Sequence, residues 1–247
     1  MTDTSATVRP ERRAELAAGL ARVRARIADA CAAAGRDRNE VTLVAVTKTY
    51  PAGDVVALAG LGVTDVGENR DQEAAPKAAE VAAAGVTPRW HFIGQLQRNK
   101  CRSVARYADV VQSVDSVRLA AALDAAAAGR DRPLDVLVQV SIDGDPARGG
   151  ALPDSADPDR GLGPVAETVA GAGALRLSGL MAVAPLGWEP ERAFARLAEV
   201  AQRFRVRHPE ATALSAGMSG DLETAIGYGA THVRVGSALL GMRPTLR

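Results

Sequence analysis

Aromatic residues are scarce in this 247-residue chain, which holds three Phe, three Tyr and two Trp. Single-strand nucleic-acid binding relies on exposed aromatic stacking platforms, and so few aromatics argue against it. Charge of one sign is lacking too: 30 basic residues face 29 acidic ones, a formal +1. No run of like charge is long enough to make an extended phosphate-binding face, so no nucleic-acid partner is expected. The two cysteines, Cys31 and Cys101, make no CxxC or mixed Cys/His spacing and read as free structural thiols. His91, His208 and His232 show no i,i+4 spacing, so no metal is expected. Apolar runs fall short of the roughly 20 residues that span a bilayer, and the opening MTDTSATVRPERRAEL lacks a signal core. A cytoplasmic protein with no membrane contact is the expectation.

Apolar residues, by contrast, make up 47% of the chain, enough for a large core over one domain, 1–247. Residues 1–8 are expected to be disordered. Between 9 and 34, Leu16, Leu20, Val23 and Ile27 recur at three- and four-residue steps, which predicts one amphipathic helix. VTLVAVTK, 41–48, is short, β-branched and nearly all apolar, as a strand covered on both faces would be. Similar runs follow at 63–69, 88–95, 110–115, 134–142, 175–183, 213–219 and 232–237, with helical patterns between them. This alternation predicts the α/β class, as a (β/α)8 TIM barrel with an extra N-terminal helix. A doubly wound open sheet is the competing fold, weakened because Thr47, Lys48 and Thr49 stand where GxGxxG would follow the first strand. The segment PARGGALPDSADPDRGLG, 146–163, reads as a mobile loop.

Barrels of this kind gather their reactive groups where strands end, and these strand ends are polar. Strand one runs into Lys48, Thr49, Tyr50 and Pro51; strand two into Gly67, Glu68 and Asn69; strand three carries His91. Lys48 shares parity with Val44 and Val46, which directs its stem into the barrel. Burial there would disfavour the ammonium and leave the neutral amine that attacks an aldehyde. The competing reading is a lysine that snorkels out of the strand end or pairs with Glu68.

The turns after strands seven and eight, 216–221 and 234–237, are small and glycine-containing. Barrels often bind phosphate there, through backbone N–H groups at a helix start and nearby hydroxyls, a task Ser219 and Ser237 suit. Ser219 or Asp221 acting merely as a helix cap is the alternative. Arg234 shares parity with His232 and Gly236 and would reach the same interior as Lys48. Beside a pyridine nitrogen it would keep that nitrogen unprotonated. A structural ion pair with Glu68 or another carboxylate is the other reading.

In order and spacing, AVTKTYP, VGENRDQE, WHFIGQLQRNK, QSVDS, LRLSGLMAVAP, LSAGMSGDLETAI and VRVGSALLG resemble the pyridoxal 5'-phosphate (PLP) homeostasis protein family, the YggS-like proteins. That family is related in fold to the barrel domain of alanine racemases. The resemblance spans 45–241 and implies PLP carried as a Schiff base on Lys48. It further implies that Asn69 lies beside the ring, that Ser219, Gly236 and Ser237 hold the phosphate, and that Arg234 faces the pyridine nitrogen. Met218 and His91 complete the expected cofactor contacts. The implied role is storing or delivering PLP, with effects on amino-acid balance, as a monomer without established catalysis, and with PLP-dependent apo-enzymes as recipients. The chain departs from the family pattern at Arg70, where an aromatic is common, and at Arg148, near the usual place of a lysine on a shorter strand-five loop.

A PLP-dependent amino-acid racemase is the alternative. It requires an acid/base pair on opposite faces of the substrate, and only His91 and Tyr50 stand beside Lys48 as candidates. In the related racemases a partner subunit with an extra C-terminal domain completes the site, whereas ten residues follow Ser237 here. A carrier is therefore expected in preference to a racemase. A lysine aldolase-type barrel acting on a phosphorylated sugar shares Lys48 and the phosphate turns but leaves Arg234 without an interior task.

Overall fold

Each β-branched run pairs in parallel with the next: β1 (Thr42–Val46), β2 (Asp65–Glu68), β3 (Arg89–Phe92), β4 (Val110–Val114), β5 (Leu134–Gln139), β6 (Leu175–Met181), β7 (Ala213–Ser215) and β8 (His232–Val235). β8 then returns to β1, with Thr42 opposite His232 and Ala45 opposite Val235, and this closure excludes the open sheet. The computed structural model describes residues 8–145 and 147–241. Residues 1–7 of the segment expected to be disordered, and Pro146 at the head of the expected mobile loop, lie outside the described residues.

Helices alternate with the strands: α1 (Pro10–Ala33), α2 (Ala52–Ala59), α3 (Asp71–Ala83), α4 (Cys101–Tyr107), α5 (Val117–Ala127), α6 (Leu162–Ala170), α7 (Pro190–Arg207), α8 (Leu222–Gly227) and α9 (Ser237–Leu240). The fold is the TIM barrel with an extra N-terminal helix that the patterning predicts. α1 starts at Pro10, whose fixed φ suits a first helical position. Its stripe of Leu16, Leu20, Val23 and Ile27 is at most 3% exposed. Burying each such side chain stabilises by about 1.5–3 kcal/mol. The stripe packs across α2, α8 and α9, and Gly19 permits the contact, because a Cβ there would stand 2.2 Å from the Leu239 carbonyl oxygen. α1 thus braces the last helices, which directly follow the two turns that wall the site described below.

One expectation shifts in detail. The strands end earlier than their apolar runs, and β1 stops at Val46, two residues before Lys48. The ladder fails there because the chain turns: the Tyr50 N–H donates to the Thr47 carbonyl at 3.0 Å, and Thr49 takes φ 68°. The segment after β5 is tied internally. Arg160 donates to the Arg148 and Gly150 carbonyls at 2.9 Å each, and the Leu152 N–H donates to the Arg160 carbonyl at 2.7 Å. Among the described residues no helix is long and apolar enough to cross a membrane.

Candidate functional site

At the C-terminal mouth of the barrel lies a cavity of about 510 Å³. Lys48, Met218, Ser219, Arg234, Gly236 and Ser237, all expected from the sequence, line it. Tyr50 lines it too, as do Val46, Ile93, Gly220 and Gly241, which sequence reasoning missed. Ile93 and Gly241 sit just past a strand and a short helix, where no polar signal marks them. A larger depression of about 850 Å³ lies between the C-terminal ends of α4 and α5 and is lined by Arg102, Arg106, Arg130 and Arg132. Two of its arginines have structural tasks: Arg130 donates to the Ala105 carbonyl in the last turn of α4, and Arg132 pairs with Asp109.

Lys48 is exposed at the cavity wall, not buried within β1. Parity holds for direction, since Lys48 opens into the same cavity as Val46 and Arg234, but the expected burial does not, because the strand ends before reaching it. Nor does it pair with Glu68. That carboxylate, fully buried, accepts from Thr47 Oγ1 at 2.7 Å and from Lys77 Nζ at 2.5 Å. Lys77 Nζ also donates to the Thr47 carbonyl at 2.8 Å, so α3 grips the backbone immediately before Lys48. On the other side, the Thr49 N–H donates to Glu73 Oε2 at 3.2 Å. A β-branched residue in the left-handed region is strained by about 1–3 kcal/mol and persists only where its surroundings hold it, as α3 does here. The turn that presents Lys48 is therefore braced on both sides.

The opposite wall is built by the two glycine-containing turns. Gly217 has φ 89°, and a Cβ there would lie 2.6 Å from the Cβ of Ala225, so both its conformation and its surroundings require glycine. Asp221 Oδ1 accepts from the Met218 N–H at 2.6 Å and fixes the turn. Ser237 Oγ then meets Ser219 Oγ at 3.3 Å, across two turns that are 18 residues apart in sequence. Among the described residues, the backbone N–H groups of Ser219, Gly220, Gly236 and Ser237 donate to no protein acceptor. Four unengaged N–H groups beside two hydroxyls make a concavity suited to an anion.

Arg234 forms part of the cavity floor and is 4% exposed. Nη1 donates to Ser215 Oγ at 2.7 Å and Nη2 to the Ala182 carbonyl at 2.8 Å. The ion pair with Glu68 or another carboxylate, left open by the sequence, is not formed among the described residues. Burial without a contacting counter-charge pulls the guanidinium pKa down to about 10. It remains protonated at neutral pH.

Asn69 and His91 do not line the cavity. Asn69 sits half-buried just past β2, where Gly94 approaches so closely that a Cβ would stand 2.1 Å from the Asn69 carbonyl oxygen. His91 is 1% exposed, with Nε2 2.8 Å from Asp65 Oδ1 and Nδ1 2.8 Å from Gln112 Nε2. Burial pushes the Asp65 carboxyl up, but the hydrogen bonds from His91 and Thr64 outweigh it and hold the group below its usual range. His232, 6.1 Å from the His91 ring, is pushed down to about 4, chiefly by desolvation. Arg70 pairs with Glu73, and Arg148 with Asp143 at 2.6 Å, so neither departure from the family pattern touches the cavity. Among the described residues no three His, Cys, Asp or Glu side chains gather to hold a metal.

An eight-stranded parallel barrel with a lysine just past its first strand, serine turns after its seventh and eighth, and an arginine floor is a barrel of the alanine racemase kind. The family model for the alanine racemase N-terminal domain matches residues 19–244. The chain belongs to the pyridoxal phosphate homeostasis protein family: it is 46% identical to the member from Mycobacterium leprae, over 94% of each chain. Among solved structures, an unknown protein from Bifidobacterium adolescentis superposes with a TM-score of 0.85 at 32% identity, covering 94% of this chain and 97% of that one. PipY of Synechococcus elongatus, solved with PLP bound, gives 0.77 at 32% identity, covering 92% of this chain and all of its own.

Proposed function

We propose that the cavity binds PLP, that Lys48 carries it as a Schiff base, and that the protein stores and delivers the cofactor without turning over a substrate. One observation carries this reading: a lysine, a pair of converging serines with unengaged N–H groups, and a buried arginine all open into one cavity. The concavity at Ser219, Gly220, Gly236 and Ser237 suits the phosphate. Arg234 would face the ring nitrogen and keep it unprotonated, because a second positive charge beside a guanidinium is unfavourable. The cofactor supplies an aldehyde for covalent capture. The Lys48 amine would hold it there reversibly, with water lost on capture and regained on release. The solved PLP complex of PipY supports the assignment of the ligand.

The state of the two candidate second bases favours storage over racemisation. The Tyr50 hydroxyl donates to the Gly241 carbonyl at 2.6 Å, and both ring nitrogens of His91 are engaged beneath the floor. Neither is free to exchange a proton opposite Lys48. Exposure of Lys48, Met218 and Ser237 suits exchange with solvent or with apo-enzymes that use PLP, and so an influence on amino-acid balance. A reducing cytoplasm fits two buried free cysteines, and we propose that the protein acts there as a monomer. The test is an absorption spectrum of the purified protein before and after borohydride, followed by peptide mapping. A band lost on reduction with the pyridoxyl adduct on Lys48 is expected. A colourless protein that PLP does not reconstitute would overturn the reading.

A further inference from the structure

The interior of this barrel holds a continuous polar chain where such barrels ordinarily stack branched apolar side chains. Five residues from five strands take part: Arg234 on β8, Ser215 on β7, Gln112 on β4, His91 on β3 and Asp65 on β2. The links are Arg234 Nη1 to Ser215 Oγ at 2.7 Å, Ser215 Oγ to Gln112 Oε1 at 2.7 Å, Gln112 Nε2 to His91 Nδ1 at 2.8 Å, and His91 Nε2 to Asp65 Oδ1 at 2.8 Å. Every member is at most 6% exposed. Val110, Leu137 and Met181 supply an apolar cluster of their own in the same barrel.

The two ends fix the direction of the chain. A guanidinium only donates and an ionised carboxylate only accepts. Ser215 Oγ therefore accepts from Arg234 and must donate to Gln112 Oε1. The Gln112 amide then donates to His91 Nδ1, which leaves the His91 proton on Nε2, facing Asp65. Four hydrogen bonds run head to tail, with the negative end of each dipole toward Arg234. Hydrogen bonds aligned in this way polarise one another. A buried cation with no carboxylate in contact needs compensation of this sort, and among the described residues the chain leads from Arg234 to the carboxylate of Asp65.

We infer that Ser215, Gln112 and His91 are positioning residues for Arg234: they relay the negative charge of Asp65 to its guanidinium and fix which of its N–H groups remain for a ring nitrogen at the cavity floor. This rests on the proposal that PLP occupies the cavity. It assigns His91 a place beneath the cofactor, acting through three intervening side chains. The guanidinium has five N–H groups, and the Ser215 and Ala182 bonds engage one on each terminal nitrogen. The orientation of those that remain is set by the chain.

The test compares affinity for PLP with affinity for the PLP analogue in which the ring nitrogen is replaced by C–H, in the unaltered protein and in Ser215→Ala and Gln112→Met. Both variants are expected to bind PLP about tenfold or more weakly than the unaltered protein, the scale of one hydrogen bond to a charged group. All three proteins should bind the nitrogen-free analogue alike. Equal losses for both ligands would mean that the chain only supports the core, and no loss for either would mean that Arg234 needs no relay; each result sinks the inference while leaving the Lys48 adduct to stand. Absence of any PLP adduct on Lys48 in the unaltered protein would instead remove the reading beneath it. A second measurement needs no substitution: nitrogen-detected NMR of His91 should show a neutral ring protonated at Nε2. A proton at Nδ1 would reverse the chain and overturn the assignment.

Discussion

Lys77, and not Lys48, neutralises the buried carboxylate of Glu68, with Nζ 2.5 Å from Oε1. The same ammonium holds the Thr47 carbonyl, so the lysine of the interior braces the lysine of the site. Removing one partner of a buried pair strands the other charge, a loss of about 3–5 kcal/mol. Lys77→Met should lower the urea midpoint accordingly, and Lys77→Met combined with Glu68→Gln should recover part of the loss. An unchanged midpoint in the single variant would show that water reaches Glu68.

Lys48→Ala should leave folding nearly untouched, within about 0.5 kcal/mol, because an exposed side chain without a hydrogen-bond network is lost. Borohydride should then trap no cofactor. Paired urea titration and peptide mapping check both halves, and an adduct that persists on another lysine would move the site.

Ser219→Ala and Ser237→Ala each remove a hydroxyl from the anion concavity. Each should weaken PLP retention by about 1.5–3 kcal/mol, the range for hydrogen bonds to charged groups. Equilibrium dialysis after reversal of the Schiff base measures this, and unchanged retention would place the phosphate elsewhere.

His232 gives a pH dependence whose sign is set by its depressed pKa. The unfolded histidine takes up a proton near 6.5, whereas the folded one does so only near 4. Between those values the unfolded state binds more protons, so stability falls as pH drops from about 6.5 to about 4, by on the order of 3 kcal/mol at most. Asp65, also depressed, adds a loss in the same direction at still lower pH. Urea midpoints at pH 7 and pH 4.5 should differ more in the natural chain than in His232→Gln; equal differences would contradict the assignment.

Much of this molecule was legible in the sequence because periodicity reports which face a residue occupies. The three- and four-residue steps of Leu16, Leu20, Val23 and Ile27 gave α1, and the β-branched runs gave eight strands in order. Lys48, Ser219, Arg234 and Ser237 were found because polar residues at strand ends stand out against those runs. Periodicity does not report partners. Lys77 lies in the sequence DQEAAPKAAE and looks like one more solvated charge; its burial depends on where β2 places Glu68. The Ser215–Gln112 bond joins residues 103 apart, and only barrel closure brings them together. Parity gave the direction of Lys48, into the cavity that Val46 also lines, but its burial was misjudged for a local reason: burial presumes that the strand continues, and the positive φ of Thr49 belongs to a turn that no apolar pattern announces.

The polar chain through the barrel makes the core and the seat of the arginine one object. In a barrel filled with Val, Ile and Leu, the interior can drift by compensating volume changes while the mouth is kept. Here, exchanging Gln112 or Ser215 for a well-packed apolar side chain would alter the charge environment at the mouth, however well the new residue fitted. Stabilising this protein by repacking is therefore best directed to the layer between strands and helices, around Leu197, Phe204 and Leu123. The inside of the barrel would have to change as a set.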